Sequence, residues 1–161
     1  MSFRTADLCD RFADRHLQIA EPIFKPYGQS TVFSGPVKTL KVFEDDVLLH
    51  KALAEPGAGR VLVIDGGGSH RCALVGADAA RDAVANGWAG LVIYGCVRDS
   101  AVLNTLPIGI RAMHTHPAPS HHRRGAGEQD TLISFSGVNF KTGYFLYADE
   151  DGIIVADSEL L

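Results

Sequence analysis

The clearest pattern along the chain is an unbroken apolar run, Arg60-Val61-Leu62-Val63-Ile64-Asp65, followed by Gly66-Gly67-Gly68-Ser69. A short continuous run predicts a strand covered on both faces, where an alternating one would predict a strand with one wet face. A second such run spans Gly90 to Gly95. Between them, Leu74, Val75 and Val84 mark a helix from about Cys72 to Ala85, stopped by Asn86-Gly87. A β-α-β unit of this kind crosses over right-handed with its strands parallel.

The flanking pattern is less regular. Thr5 is expected to cap a first helix to about Asp14, with Leu8 and Phe12 on one face. Ser30–Phe33 and Val37–Phe43 read as strands separated by Gly35-Pro36; Lys38, Leu40 and Val42 share one face of the second. Asp45 or Asp46 is expected to cap a short helix through Leu53, ended by Pro56-Gly57-Ala58-Gly59. Asp99 or Ser100 caps another to about Thr105, and Ile108–Met113 reads as a strand. The last third is β-rich: Thr131–Phe135, Val138–Phe140, Tyr144–Tyr147 and Gly152–Ala156, with Asp151-Gly152 signalling a hairpin. The fold class is α/β, and one domain over residues 1–161 is expected, with no internal repeat.

In open α/β sheets ligands gather where parallel strands end at their carboxyl edges. Two such edges are visible, Asp65-Gly66-Gly67-Gly68-Ser69 and Tyr94-Gly95-Cys96-Val97-Arg98-Asp99, and the crossover brings them side by side. Arg98 supplies a planar fork suited to a carboxylate or a polarised carbonyl. Asp99 supplies a hard oxygen suited to Mg²⁺ or Mn²⁺ that keeps several waters. The ordinary alternative for this pair is a surface ion pair or a helix cap. The glycine run lacks the G-x-G-x-x-G spacing, and no second β-α-β half follows, so a dinucleotide site is not indicated. His114 and His116 alternate like two ligands on a strand, with His121 and His122 nearby, but no Cys or carboxylate completes a zinc set and the prolines around them read as a solvated loop.

Composition narrows the function classes. Apolar residues make up 46% and charged residues 21%, which excludes a disordered chain. The net charge of -4 leaves no basic footprint for direct nucleic-acid binding. Cys9, Cys72 and Cys96 form no CxxC pair and read as free thiols in a reducing compartment. The first residues lack a signal-peptide layout and no apolar run approaches membrane-spanning length, so a soluble cytoplasmic protein is expected.

The ordered motifs Val61–Ser69, Ala73-Leu74-Val75-Gly76, Asn86–Gly90, Ile93–Asp99, Gly109–Ala112, Arg124-Gly125-Ala126-Gly127 and Tyr147–Ile154 together resemble the regulator of ribonuclease E activity A (RraA) family. That family shares its fold with 4-hydroxy-4-methyl-2-oxoglutarate aldolases. The resemblance covers essentially the whole chain. It implies a swivelling β/β/α domain like the phosphohistidine domain, assembled as a homotrimer with sites near subunit interfaces. Two functions follow from it. One is inhibition of ribonuclease E through protein–protein binding, with a retained divalent-metal site for a small 2-oxo acid that supports aldolase or oxaloacetate decarboxylase chemistry. The other is a dedicated pyruvate-releasing lyase with no ribonuclease role. Family members have also been labelled menaquinone methyltransferases, and nothing in this sequence looks like a cofactor site for that chemistry.

Carried onto this chain, the resemblance makes Asp99 the metal ligand and Arg98 the substrate-binding cation that offsets enolate charge. Backbone N–H groups around Gly76, Ala77, Asp78 and Ala79 would hold the substrate carboxylate. Two positions depart from the active aldolases. Those enzymes carry Asp directly after the glycine matching Gly76, where this chain has Ala77. They also carry an acidic residue three positions after the aspartate matching Asp99, where this chain has Val102. Asp78 is one step further along and, on a helix, points about 100° away from Ala77.

Overall fold

The computed structural model describes residues 2–161. Its elements, in chain order, are α1 (Thr5–Arg11), β1 (Gln18–Ile19), β2 (Lys25–Tyr27), β3 (Phe33–Lys41), α2 (Val47–Ala54), β4 (Val61–Asp65) and β5 (Ala73–Val75). They continue with α3 (Ala77–Ala85), β6 (Gly90–Val97), α4 (Ser100–Leu103), β7 (Gly109–Thr115) and β8 (Glu128–Gln129). The chain closes with β9 (Ile133–Phe135), β10 (Val138–Phe140), β11 (Phe145–Asp149) and β12 (Gly152–Ala156).

The main sheet runs β1-β12-β11-β3-β4-β6-β7-β2, with β5 on β6 and β8 on β3. Its centre, β3-β4-β6-β7, is parallel, and the expected β4-α3-β6 crossover is there. The β11–β3 and β11–β12 pairs are antiparallel, and β9–β10 form a separate hairpin.

Strand β3 is continuous through Gly35-Pro36, against the expected break. Its first half pairs antiparallel with β11 (Pro36 opposite Phe145) and its second half parallel with β4 (Val37 opposite Val61). Proline, which has no N–H to offer a ladder, sits where the strand changes partner. Gly35 is required by close approach: a Cβ there would lie 2.1 Å from the Gly59 carbonyl oxygen.

Two apolar layers sandwich the parallel strands. On one face Leu40, Leu62, Ile64, Leu91, Ile93 and Ile110 pack against Leu49 and Leu53 of α2 and Ala80 and Ala83 of α3. On the other, Val37, Val61, Val63 and Val92 meet Phe135, Phe140, Leu146 and Val155 from the hairpin and β11–β12. The order is therefore sheet, sheet, helices: the swivelling β/β/α fold expected. Lys38 is buried within this sandwich and donates from Nζ to both carboxylate oxygens of Asp130 at 3.1 Å.

Two local expectations are corrected. Residues Ala73–Val75 form a strand beside the end of β6, so the helix starts only at Ala77 with Gly76 at its N-cap. Thr5 does not cap α1; Arg4 holds that position. The Thr5 hydroxyl and N–H both donate to the Asp149 carboxylate at 2.7 Å, fixing α1 to the end of β11.

Candidate functional site

The ends of β5 and β6 converge at the N-terminus of α3, while the expected second edge, Asp65–Ser69, stays out of this cavity: Asp65 and Gly67 line a separate depression with Lys41 and Glu128. The Arg98 N–H donates to the Val75 carbonyl at 2.9 Å, which ties the segment after β6 to the end of β5. Asp99 then takes a left-handed conformation, φ 59°, and turns the chain into α4. Among non-glycine residues Asp is one of the few that visit this region, and a residue held there is a recurrent feature of ligand sites. The turn sends the Asp99 side chain back to α3, where Oδ2 accepts from the Ala77 N–H at 2.9 Å. Gly76 is what lets them meet: an added Cβ would lie 2.9 Å from Asp99 Oδ2 and 3.2 Å from Arg98 Cγ.

A polar cavity of about 220 Å³ opens at this point, and Gly76, Ala77, Asp78, Ala79, Arg98 and Asp99 all line it. The structure thus brings together the six residues that the resemblance assigned to a substrate and metal site. It also refines their arrangement. Asp99 uses one carboxylate oxygen as a cap for α3, so the Ala77 N–H is already engaged and Asp78 and Ala79 offer the remaining first-turn donors. The Asp78 side chain is 96% exposed and lies 3.6 Å from Arg81, turned to solvent as its helical position requires. Val102 is half-buried and lies outside the cavity lining.

Three further polar residues line the cavity: Asp46, His50 and Arg123. Asp46 is the N-cap residue of α2 and His50 lies one turn along it, with His50 Nε2 3.3 Å from the buried Asp46 Oδ2. The i,i+4 spacing is the signal that could have found this pair, and the sequence analysis did not single it out. Arg123 arrives from the long loop between β7 and β8, which no local pattern could have placed. Asp45 fixes that loop. Its buried carboxylate accepts from the N–H groups of Arg124 (2.9 Å), Ala126 (3.3 Å) and Gly125 (3.4 Å), and from Val47 at the start of α2 (3.1 Å). Burial alone would raise the Asp45 pKa; the four N–H donors outweigh it and hold the carboxyl below its ordinary value.

For a divalent cation, the cavity offers Asp99 Oδ1, whose twin oxygen is the one committed to Ala77. No group of three or more His, Cys, Asp or Glu side chains among the described residues is arranged as a metal cage. A single carboxylate fits a hard cation that keeps most of its waters, the Mg²⁺ or Mn²⁺ mode, and does not fit a closed zinc site.

The histidines of the β7–β8 region fall elsewhere. His116, His121 and His122 line an open depression with Glu44, His70 and Arg71. Their contacts are structural: His121 Nε2 lies 2.7 Å from the Arg71 carbonyl oxygen, and His116 Nδ1 accepts from the Ala118 N–H. His114 stands edge-on to His70, with ring centroids 5.0 Å apart. Glu44, below them, is held under its ordinary pKa by hydrogen bonds from Arg71 and Ser69. No described helix is long and apolar enough to cross a membrane.

Comparison with known proteins places this geometry in a family. A model described as "RraA-like: Aldolase/RraA" matches residues 5–155. A Methylococcus capsulatus protein named "Putative 4-hydroxy-4-methyl-2-oxoglutarate aldolase" is 59% identical, over 100% of both chains. Among solved structures, a Geobacillus kaustophilus protein described as an S-adenosylmethionine:2-dimethylmenaquinone methyltransferase superposes with a TM-score of 0.95 at 46% identity, covering 98% of this chain and 97% of that one. The RNA-processing inhibitor RraA from Thermus thermophilis also gives 0.95, at 43% identity, covering 100% of this chain and 96% of that one. Three different functional names at such similarity identify ancestry and leave activity to the site. The chain belongs to the aldolase/RraA family.

Proposed function

We propose that this protein is a divalent-metal-dependent lyase for a small 2-oxo acid, with oxaloacetate decarboxylation as the reaction its residues best support. The observation that carries the reading is the convergence of Arg98, Asp99 and the N-terminus of α3 on one cavity of about 220 Å³. That is a small volume beside the pockets that hold drug-sized ligands, and it suits a four- or five-carbon acid. Arg98 and the free first-turn N–H groups of α3 bind the carboxylate next to the 2-oxo group. Arg123, which lines the same cavity, pairs with a second carboxylate, which favours dicarboxylic substrates over pyruvate. A divalent cation on Asp99 Oδ1, when bound, polarises the 2-oxo group. Loss of CO₂ then leaves a pyruvate enolate whose negative charge the Arg98 guanidinium offsets.

Decarboxylation is favoured over retro-aldol cleavage because of what Ala77 and Val102 lack. Retro-aldol cleavage needs a base placed at the substrate hydroxyl, and both positions where the resemblance expects acidic groups for that role are apolar here. Decarboxylation needs no such step. The aldolase name carried by the relatives supports carbon–carbon lyase chemistry of this class. The functional unit we propose is a cytoplasmic homotrimer of single 1–161 domains, binding no nucleic acid directly.

Steady-state oxaloacetate decarboxylation with Mg²⁺ tests the reading. Asp99→Ala and Arg98→Ala should each fall at least about 100-fold below wild type, the range associated with a lost electrostatic stabiliser. Wild-type turnover no faster than Asp99→Ala would refute it. A second reading, inhibition of ribonuclease E by protein binding, is favoured by the 43% identity to the Thermus inhibitor over the full chain. The acidic net charge of -4 suits a basic RNA-processing partner. Failure of the trimer to retain a ribonuclease E fragment in a pull-down would count against it.

A further inference from the structure

Resting on the lyase reading, we infer that His50 is the proton donor and acceptor of this site, held in place by Asp46. The apolar residues at 77 and 102 leave the enolate with no carboxylic acid in either position to return a proton to its carbon. His50 lines the same cavity as Arg98 and Asp99. Its Nε2 is held 3.3 Å from Asp46 Oδ2, while among the described residues Nδ1 has no hydrogen-bond partner. Asp46 is 7% exposed and its carboxylate gives no side-chain cap to α2; among the described residues its side-chain hydrogen bond is the one to the imidazole. A buried carboxylate fixing one ring nitrogen of a histidine that lines a ligand cavity is how imidazoles are oriented for proton transfer. The His50 side chain, 44% exposed, can exchange protons with solvent between turnovers.

The step is balanced without any further reactant. After CO₂ leaves, the enolate electron pair on the methylene carbon takes the proton from imidazolium Nδ1, giving pyruvate and neutral imidazole. In reverse, neutral imidazole removes a proton from the pyruvate methyl group and the C–H electron pair moves into the enolate. Asp46 is a positioning residue: it touches only the ring.

The reverse direction supplies the test. Wild-type protein with Mg²⁺ and pyruvate in D₂O should exchange the methyl protons for deuterium, followed by proton NMR. His50→Ala and His50→Gln should each lower that exchange at least about 100-fold, the usual span of general acid–base contributions. Pyruvate formation from oxaloacetate ends in the same proton transfer and should fall in the same variants. Free imidazole should restore part of the exchange in His50→Ala. Asp46→Asn should lower kcat for exchange while leaving KM for pyruvate near wild type. Two variants guard against a folding defect, and a thermal-unfolding midpoint near wild type reports a folded chain in either. Exchange at the wild-type rate in both His50 variants, with an active wild type, overturns the inference alone. A wild type that neither decarboxylates nor exchanges overturns the lyase reading and this inference with it.

Discussion

Gly76→Ala separates function from stability more cleanly than removal of a site residue. The backbone at Gly76 has φ -128°, which alanine adopts freely, so the perturbation is one methyl group and no strain. That methyl group would sit 2.9 Å from Asp99 Oδ2, 3.2 Å from Arg98 Cγ and 3.3 Å from Arg98 Nε. Ordinary carbon contacts need roughly 0.5 Å more than the shortest of these, so Asp99 and Arg98 must both shift. The two backbone terms nearly cancel. Alanine is a poorer N-cap than glycine by roughly 0.5–1 kcal/mol. It restricts the unfolded chain by about 0.4–1 kcal/mol in the opposite sense. Losing the Asp99–Ala77 bond costs about 1–2 kcal/mol at an exposed site. The net is about 1–2 kcal/mol, a fall of several degrees in Tm for a chain of this size. A half-ångström displacement of a substrate arginine and a metal carboxylate should lower kcat/KM for oxaloacetate roughly 10- to 100-fold. Gly95→Ala is the control, because its Cβ would meet Leu74 Cδ1 at 3.5 Å and Ile93 at 3.6 Å, ordinary contacts. Full activity in Gly76→Ala, with Tm unchanged, would refute the packing of this site.

Further outcomes follow from particular contacts. Arg123→Ala should raise KM for oxaloacetate about tenfold or more and leave the pyruvate exchange KM within about twofold, the mark of a lost second-carboxylate contact; equal effects on both would contradict its assignment. Asp45→Ala leaves up to four backbone N–H groups without their acceptor. It should cost about 2–4 kcal/mol and raise the oxaloacetate KM by freeing the Arg123 loop, checked by urea unfolding and kinetics. Asp45, Glu44 and Asp149 all have folded pKa values held below their ordinary ones. Their stabilisation is therefore complete above the unfolded pKa, about 4, and is lost as pH falls through the lower folded values. The urea midpoint should drop between pH 5 and pH 3, and a flat profile would contradict the assigned hydrogen bonds. Light scattering should give the mass of three 17.3 kDa chains, and a monomer would exclude the proposed trimer.

The buried parallel strands were legible because their apolar runs can satisfy no other environment. Arg98 and Asp99 were legible for the same reason, since the end of such a strand is a predictable place. What escaped depended on partners far along the chain. Leu74 and Val75 fit a helix or a strand equally well, and only pairing with the end of β6 decides between them. Thr5 looks like a cap until Asp149, 144 residues away, takes its hydroxyl. Pro36 looks like a break until β3 is seen to change partners there. Asp46 and His50 stand four residues apart, a spacing the sequence analysis did not single out, and their place in the site depends on α2 packing beside α3. Arg123 carried none; Asp45 sets its place through backbone bonds to the loop that follows it.

Diffraction from crystals soaked with Mn²⁺ and pyruvate, recorded for the anomalous signal of the metal, tests the central claim most directly. The account predicts one strong peak bonded to Asp99 Oδ1, with the pyruvate carboxylate against Arg98 and the first turn of α3. A peak among His70, His116 and His121 instead, or none at Asp99 in crystals that take up the metal, would contradict it.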